Sequence, residues 1–548
     1  LGDDPRGQSP GFALAEFSRG GGYADCKAQK NDRFQYVYTV HDETIIHTIA
    51  GPEYRILLEN MPMARPVAGN DTAMHRASIS MLSLLVLSAL GTGCRQTEPG
   101  PATGNKAPGG RVENEPAPRP QPPAVKKSLD ASRQWAGWRG PLGTGAAPGS
   151  APPIEWSEEK NVRWKTTLPG KGHSTPVIWG ERIFLTSAAA FGEATKEEHE
   201  HSDGDHDNMT PEFHQRSVVL AINRSDGSIL WEKIVNEERP HESSHITGSW
   251  ASNSPVTDGE HVIASFGSRG IYCLDVHGEL IWKKDLGDME VKHGHGEGSS
   301  PALHENTVVV NWDHEGDSFA IALDKNTGKE IWRTPRDEVS SWSTPLIIEH
   351  NGRPQAVIAA TTRVRSYDLT DGKVLWECGG LSNNVVASPV AAAGFLYAAS
   401  SYEFQAMFAI RLEGASGDLT GTDAVTWKID RHTPYVPSPL LYRGKLFFIR
   451  HLQAFLSCLD AKSGTPIFGP RRLPGFQMIY SSPVGAGGKV YVLSRNGVML
   501  VIESAGKYDL LAANQLEDSF SASPAIVDDE LYLRGEQHLY CIAKETGK

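Results

Sequence analysis

Cysteine is scarce in this chain, six in 548 residues with no two adjacent, which excludes a vicinal disulfide. Basic charge is in deficit: 53 Lys and Arg against 66 Asp and Glu leave a net charge of -13. A field of that sign repels phosphate backbones, so nucleic acid is excluded as a partner. Long apolar runs are missing too. A hydrophobic content of 39% and a mean hydropathy of -0.36 describe a globular protein and not a multispanning membrane protein. Also absent are a Ser-His-Asp order, a phosphate loop and an HExxH helix.

One short apolar stretch stands out. In "MHRASISMLSLLVLSALGTGCRQ", Met74, His75 and Arg76 precede ten residues, Met81 to Leu90, and Cys94 follows. Ten residues are too few to span a bilayer but suit the apolar region of a secretory signal. The stretch resembles a bacterial lipoprotein signal, which implies that Cys94 carries the lipid anchor, although Gly91 stands where leucine is usual. Residues 1–73 precede this signal, begin at Leu1 and show no sustained periodicity, so they read as a gene-start artefact or a disordered extension. Residues 95–130 are dense in Pro, Gly and polar side chains and read as a disordered tether.

Residues 131–548 repeat. "ALDKNTGKEIW", ending at Trp332, has counterparts ending at Trp231, Trp282, Trp376 and Phe468, each a strand, a Gly-containing turn and a strand. A Ser-Pro or Ser-Thr-Pro precedes each copy, with prolines at 176, 255, 301, 345, 389, 439, 483 and 524, and from Pro255 the intervals are 46, 44, 44, 50, 44 and 41. A period near 44 with four short strands per unit predicts an all-β fold: an eight-bladed β-propeller of four-stranded antiparallel blades. The eighth unit lacks its last strand. "NVRWKTTLPG", with Trp164, precedes the first unit and is expected to supply it, closing the ring with an N-terminal strand.

The motif Ala322, Asp324, Thr327, Gly328, Trp332 resembles the tryptophan-docking repeat of pyrroloquinoline quinone (PQQ)-type propellers, a superfamily of quinoprotein alcohol dehydrogenases and BamB-like lipoproteins of the barrel-assembly machinery. The resemblance implies a structural docking role for Trp164, Trp231, Trp282, Trp332, Trp376 and Trp427. Cys273, Cys458 and Cys541 occupy the place of Ala322 in their own units, small buried positions in separate blades that are not expected to pair.

Chemistry concentrates on one end of the ring. The turns on the other end, such as "TDGE" and "YRGK", are plain, whereas the crossovers into the innermost strands are rich in His, Trp and Tyr. His241, His245, Trp250, Trp342, His432 and Tyr435 are therefore candidate ligand-binding residues at a common mouth. "HGHGEG" places His293, His295 and Glu297 at alternate positions, which share a face on an extended backbone. With Asp313 and His314 of the neighbouring loop they form a candidate site for a divalent metal. An insertion in the first blade adds His199, His201, His206 and His214.

Signal, tether and the BamB-like resemblance point to a binding or scaffold protein exported to the periplasmic side of the envelope. It would be lipid-anchored to a membrane, with envelope or outer-membrane proteins as partners and a role in outer-membrane protein assembly. The alternative is an enzyme at the same mouth, PQQ-dependent or metal-dependent. The quinoprotein resemblance would imply PQQ, a bound calcium, an aspartate base and usually a vicinal disulfide. PQQ is not expected, because the Cys-Cys pair and most of the large insertions of that branch are missing.

Overall fold

Within each repeat the inner strands are apolar throughout and the outermost strand alternates. Phe319–Asp324 is buried at five consecutive positions, while in Glu330–Pro335 only Trp332 is buried. A strand covered on both faces reads as a continuous apolar run, and one at an outer rim needs only one covered face. Stacking such units face to face around an axis satisfies both patterns.

The computed structural model describes residues 36–40, 43–47, 130–195, 206–450 and 454–544. The chain divides into two compact units, Leu1–Ala117 and Pro118–Lys548. In the first, Tyr36–Val40 pairs antiparallel with Glu43–His47. The apolar run, Cys94 and the stretch to residue 129 lie outside the described residues, as do His199 and His201.

The second unit is an eight-bladed β-propeller. From the axis outward, blade 1 consists of Val177–Trp179, Arg182–Phe191, His214–Asn223 and Ile229–Glu238. Blades 2 to 7 repeat this order, beginning at Val256–Thr257, Ala302–His304, Leu346–His350, Val390–Ala392, Leu440–Tyr442 and Val484–Ala486. Blade 8 takes three strands from Ala525–Val527, Glu530–Arg534 and His538–Ile542, and its fourth is Val162–Thr167, which pairs antiparallel with His538–Ile542. The N-terminal strand thus closes the ring.

Adjacent blades are locked at two radii. Near the rim, each indole N–H reaches a backbone carbonyl of the next blade: Trp164 to Arg224 at 3.0 Å, Trp231 to Val276 at 3.1 Å, Trp282 to Lys325 at 2.6 Å, Trp332 to Leu369 at 2.9 Å and Trp427 to Ala461 at 2.9 Å. The ring lies over a turn glycine with positive φ; a Cβ on Gly328 would come within 2.7 Å of Trp282. A small buried residue stands opposite each aromatic, including Cys273, Cys458 and Cys541, all free thiols. Trp376 differs, donating to Gln355 of its own blade at 3.3 Å. The connection after the third strand of blade 5 is longer here, and its residues Gly417–Asp418 pair in parallel with Trp376 and Glu377, taking the place of the docking turn.

Near the axis, the residue before each landmark proline joins a ring of hydroxyls. Thr175, Ser254, Ser300, Thr344, Ser388, Ser438 and Ser482 each donate their backbone N–H to the hydroxyl of the next member, at 2.9 to 3.0 Å, ending on Ser523. The Thr175 hydroxyl closes the circle on Ser523 O at 3.0 Å.

Inside this ring lies a segment that sequence reasoning did not single out. Trp135 pairs with Ile178 of blade 1, Ala136 O accepts from Thr257 of blade 2, Thr144 O from Leu441 of blade 6, and Gly145 and Ala147 bond Gly485 of blade 7. Trp138 reaches the Ser388 hydroxyl at 3.1 Å and Arg139 donates to Pro439 O at 2.9 Å. These partners lie on the free inner edges of strands on opposite sides of the ring, so the segment crosses the axis and fills the central opening. Arg139, only 2% exposed, finds carbonyls there in place of water, and burial lowers its pKa from the usual guanidinium value.

A chain starting at Lys126 should therefore melt like the full protein. One starting at Thr166 loses both the axial segment and most of the closing strand, and should melt far lower or fail to fold. Equal thermal denaturation midpoints for the two would contradict this account of closure.

Candidate functional site at the mouth of the ring

Two residues of the blade 1 insertion, Asn208–Met209, pair antiparallel with Ser244–His245 of the crossover between blades 1 and 2. His245 N–H donates to His295 O at 3.2 Å, and Asn208 Nδ2 to His293 O at 2.7 Å. Three segments distant in sequence are thereby laced together, and their imidazoles meet. Ring centres are 4.8 Å apart for His206 and His293, 4.9 Å for His206 and His295, 5.3 Å for His293 and His295, and 4.7 Å for His245 and His295.

From His293 the line of rings continues to Tyr402 of blade 5 at 6.2 Å and then to Tyr435 at 5.8 Å. A side chain between blades 2 and 3 meets one from blade 5 by reaching inward past blades 3 and 4. The cluster therefore sits above the central opening, at the end of the ring opposite the plain turns.

The backbone beneath it is not the extended strand that alternating His and Gly suggest. Lys292–Gly294 forms a 3-10 turn with His293 at φ 63, and Gly294 and Gly296 have φ of 61 and 78. Positive φ at these positions breaks the alternation of faces. Glu297 consequently turns away from the imidazoles: its carboxylate accepts from Ser268 N at 2.8 Å and Ser268 Oγ at 2.5 Å, and pairs with Arg269 at 3.4 Å. Gly267 is required for this approach, since a Cβ there would lie 1.2 Å from Glu297 Oε2.

Asp313 and His314 are likewise held apart from the cluster. Arg336 clasps both oxygens of Asp313, at 2.6 and 3.0 Å, and Ser341 Oγ adds a third bond at 2.6 Å. Neither side chain of that ion pair is exposed. His314 Nδ1 accepts from Glu290 N at 3.2 Å and Gly316 N at 3.3 Å, bracing its own loop. His293, His295, Glu297, Asp313 and His314 thus do not converge on one point. Among the described residues, no three of His, Cys, Asp and Glu are disposed to hold a metal ion as the side chains stand.

The other candidate residues divide between mouth and core. His241 Nε2 meets Met289 O at 2.9 Å. Trp250 is 9% exposed, bonds Glu242 O and packs in the core with Phe184 and Phe266, so it presents no stacking face. Trp342 donates to Gly296 O at 2.7 Å and lines, with Asn253, Glu297 and Asn311, a cavity of about 10 Å³, room for a single water. His432, at φ 57, lies in the same crossover as Tyr435. His206 and Tyr402 complete the ring line; the period-44 pattern says nothing of either, because one lies in an insertion and the other in a loop of variable composition.

Burial pushes the His295 imidazole down to about 4, helped by His245, His206 and His293, and lowers His245 as well. At the entry to blade 1, burial and then Arg534, Arg495 and Lys171 push His173 down to about 3. Burial raises the Tyr435 phenol to about 12. All four groups are uncharged at neutral pH, suited to hydrogen bonding, imidazole coordination and stacking more than to proton transfer. Around them Ile246, Tyr402 and Phe404 are 64%, 42% and 52% exposed. On the plain end of the ring, a pocket of about 520 Å³ lies between the axial segment and blades 5 and 6, walled by Leu142, Phe395 and Tyr442 with Arg443 and Lys462.

A quinone with a carboxylate-held calcium does not fit this donor set. Glu297, Asp313 and Glu338 are spent on Arg269, Arg336 and Arg365. The thiols of Cys273, Cys378, Cys458 and Cys541 are single and buried in separate blades.

Comparison with known proteins gives the fold a family setting. A family described as "Outer membrane protein assembly factor BamB" matches residues 215–469. No curated protein matches the chain. Among solved structures, a europium-containing methanol dehydrogenase is similar at 10% identity, with 75% of this chain and 98% of that one covered and a TM-score of 0.51. BamB from Moraxella catarrhalis has 12% identity, 70% and 99% coverage and a TM-score of 0.45. The quinohemoprotein alcohol dehydrogenase ADHIIG from Pseudomonas putida HK5 has 10% identity, 76% and 82% coverage and a TM-score of 0.47. Likeness at these identities concerns the fold.

Replacing Asp313 with alanine leaves Arg336 charged and buried without its partner, and should cost about 3–5 kcal/mol in denaturant unfolding. The pH dependence of stability has a definite sign. His295 binds a proton less readily folded than unfolded, so its contribution is complete above about 6.5 and is lost as pH falls toward about 4. Melting temperatures measured across that window should decline, and decline less in His295→Gln.

Proposed function

We propose that this chain, a β-propeller protein of the PQQ type, is a binding or scaffold protein of the cell envelope that takes an envelope-protein partner at its mouth. The observation that carries this reading is the composition of that face. Its buried carboxylates Glu297, Asp313 and Glu338 are locked into internal ion pairs, its perturbed imidazoles are neutral, and an apolar rim of Ile246, Tyr402 and Phe404 stands exposed around them. Exposed aromatics around a preorganised polar centre suit protein recognition, where a few such residues supply most of the binding energy. The match of residues 215–469 to an outer-membrane protein assembly factor supports an envelope setting and a role in assembling outer-membrane proteins.

In this reading residues 74–94 are an export signal, Cys94 carries a lipid, residues 95–130 tether the propeller to a membrane, and the periplasmic side is its place of work. Residues 1–73 take no part. The two ends of the ring then have different tasks: the axial segment closes one, and the other is free to face a partner.

Photo-crosslinking tests the proposal. A crosslinking residue at Tyr402 or Phe404 in the full chain should trap one defined envelope protein, while the same group at Leu142, on the opposite end, should not. Tyr402→Ala with Phe404→Ala should lower capture at least about tenfold, as loss of a central aromatic anchor does. Equal labelling from both ends, or none from the mouth, would refute the assignment.

A further inference from the structure

We infer that His206, His245, His293 and His295 form a binding site for one divalent transition-metal ion of the zinc, nickel or copper class. The inference goes beyond the proposed partner binding and does not depend on it.

Spacing is the first argument. Four imidazoles bound tetrahedrally at about 2.0–2.1 Å from nitrogen to metal place their ring centres about 5 Å apart. The four contacts here span 4.7 to 5.3 Å. As the rings stand they do not yet share an ion position. The rings of His206, His293 and His295 already stand at that separation from one another, and His245 at that separation from His295, so the adjustment required is rotation about side-chain dihedrals.

Orientation is the second. A ligating histidine ordinarily donates its other ring N–H to a carbonyl or hydroxyl, which fixes the tautomer and directs the lone pair at the metal. His295 Nε2 contacts His206 O at 3.1 Å, so a proton on Nε2 is satisfied and Nδ1 carries the free pair. His245 Nδ1 accepts from Thr247 N–H at 3.1 Å and lies 2.7 Å from Thr247 Oγ1, so its lone pair is engaged within its own turn and it joins an ion only by releasing that contact. These assignments follow from the hydrogen-bond partners. The backbone beneath is fixed by the pairing of Asn208–Met209 with Ser244–His245 and by the His245 N–H bond to His295 O.

Donor chemistry selects the metal. Among nearby carboxylates Glu297 is committed to Ser268 and Arg269 and Asp313 to Arg336, while Asp207, next to His206, is exposed. An all-imidazole set favours zinc, copper or nickel over calcium or magnesium, which require oxygen ligands.

The test is calorimetric titration of zinc and copper into the purified full chain after chelator treatment, with metal content measured in parallel. One equivalent per chain is expected. His293→Ala and His295→Gln should each weaken binding by about tenfold or more, whereas His314→Ala, which lies in its own braced loop, should not. Saturating zinc should raise the melting temperature of the wild type and not of His295→Gln. Cobalt in place of zinc should give the visible bands of a tetrahedral site. No bound metal, affinity within twofold of wild type in the His293 and His295 variants, or loss of binding only on replacing His199 and His201 would each overturn the assignment.

Discussion

The structure depends on one repeated hydrogen bond. In front of the innermost strand of each blade stands a hydroxyl residue followed by proline, and in seven of the eight the N–H of that residue meets the next blade's hydroxyl at 2.9 to 3.0 Å. Proline holds the preceding residue extended and brings no N–H of its own to the crowded axis, so the step leaves a single donor to be satisfied. A buried N–H without a partner is costly, and a neighbouring blade supplies the acceptor. Each blade is thereby placed by the one after it. The tryptophan contacts at the rim repeat the same logic at larger radius, with apolar area added to the hydrogen bond.

The mouth inherits its geometry from this constraint. Every crossover is fixed at one end by an outermost strand and at the other by the hydroxyl ring, so the residues between have nowhere to go but over the opening. The crossovers from blades 1 and 2 bring His245, His293 and His295 there, and a two-residue ladder to Asn208–Met209 adds His206. The acidic residues of the same end serve a different purpose. Asp313 with Arg336 and Glu338 with Arg365 join blades 3 and 4 through bonds closed to solvent. The division leaves imidazoles and phenols in contact with one another over the opening.

Much of the fold was legible in the sequence. The spacing of Ser-Pro steps reports the hydroxyl ring, because the same residues recur where the same bond is made. The unpaired "NVRWKTTLPG" announced the closing strand, since a blade of three strands leaves an open edge. Legibility ended where a local pattern met a non-local partner. "HGHGEG" suggested one extended face, but glycine admits positive φ as easily as an extended conformation, and Glu297 went to Arg269. Trp376 carries the docking motif of its own blade, yet its partner turn belongs to blade 5, where the motif is interrupted. The axial segment from Trp135 to Ala147 has no periodicity to read, because its backbone pairs with strands on opposite sides of the ring.

Amide hydrogen exchange at the residues before the landmark prolines tests the central claim most directly. If the hydroxyl ring sets the position of every blade, the N–H groups of Thr175, Ser254, Ser300, Thr344, Ser388, Ser438 and Ser482 should exchange together and only through global unfolding. Rapid exchange at any one of them, with the rest of the propeller still protected, would show that the blades are placed by other contacts and that the ring merely decorates them.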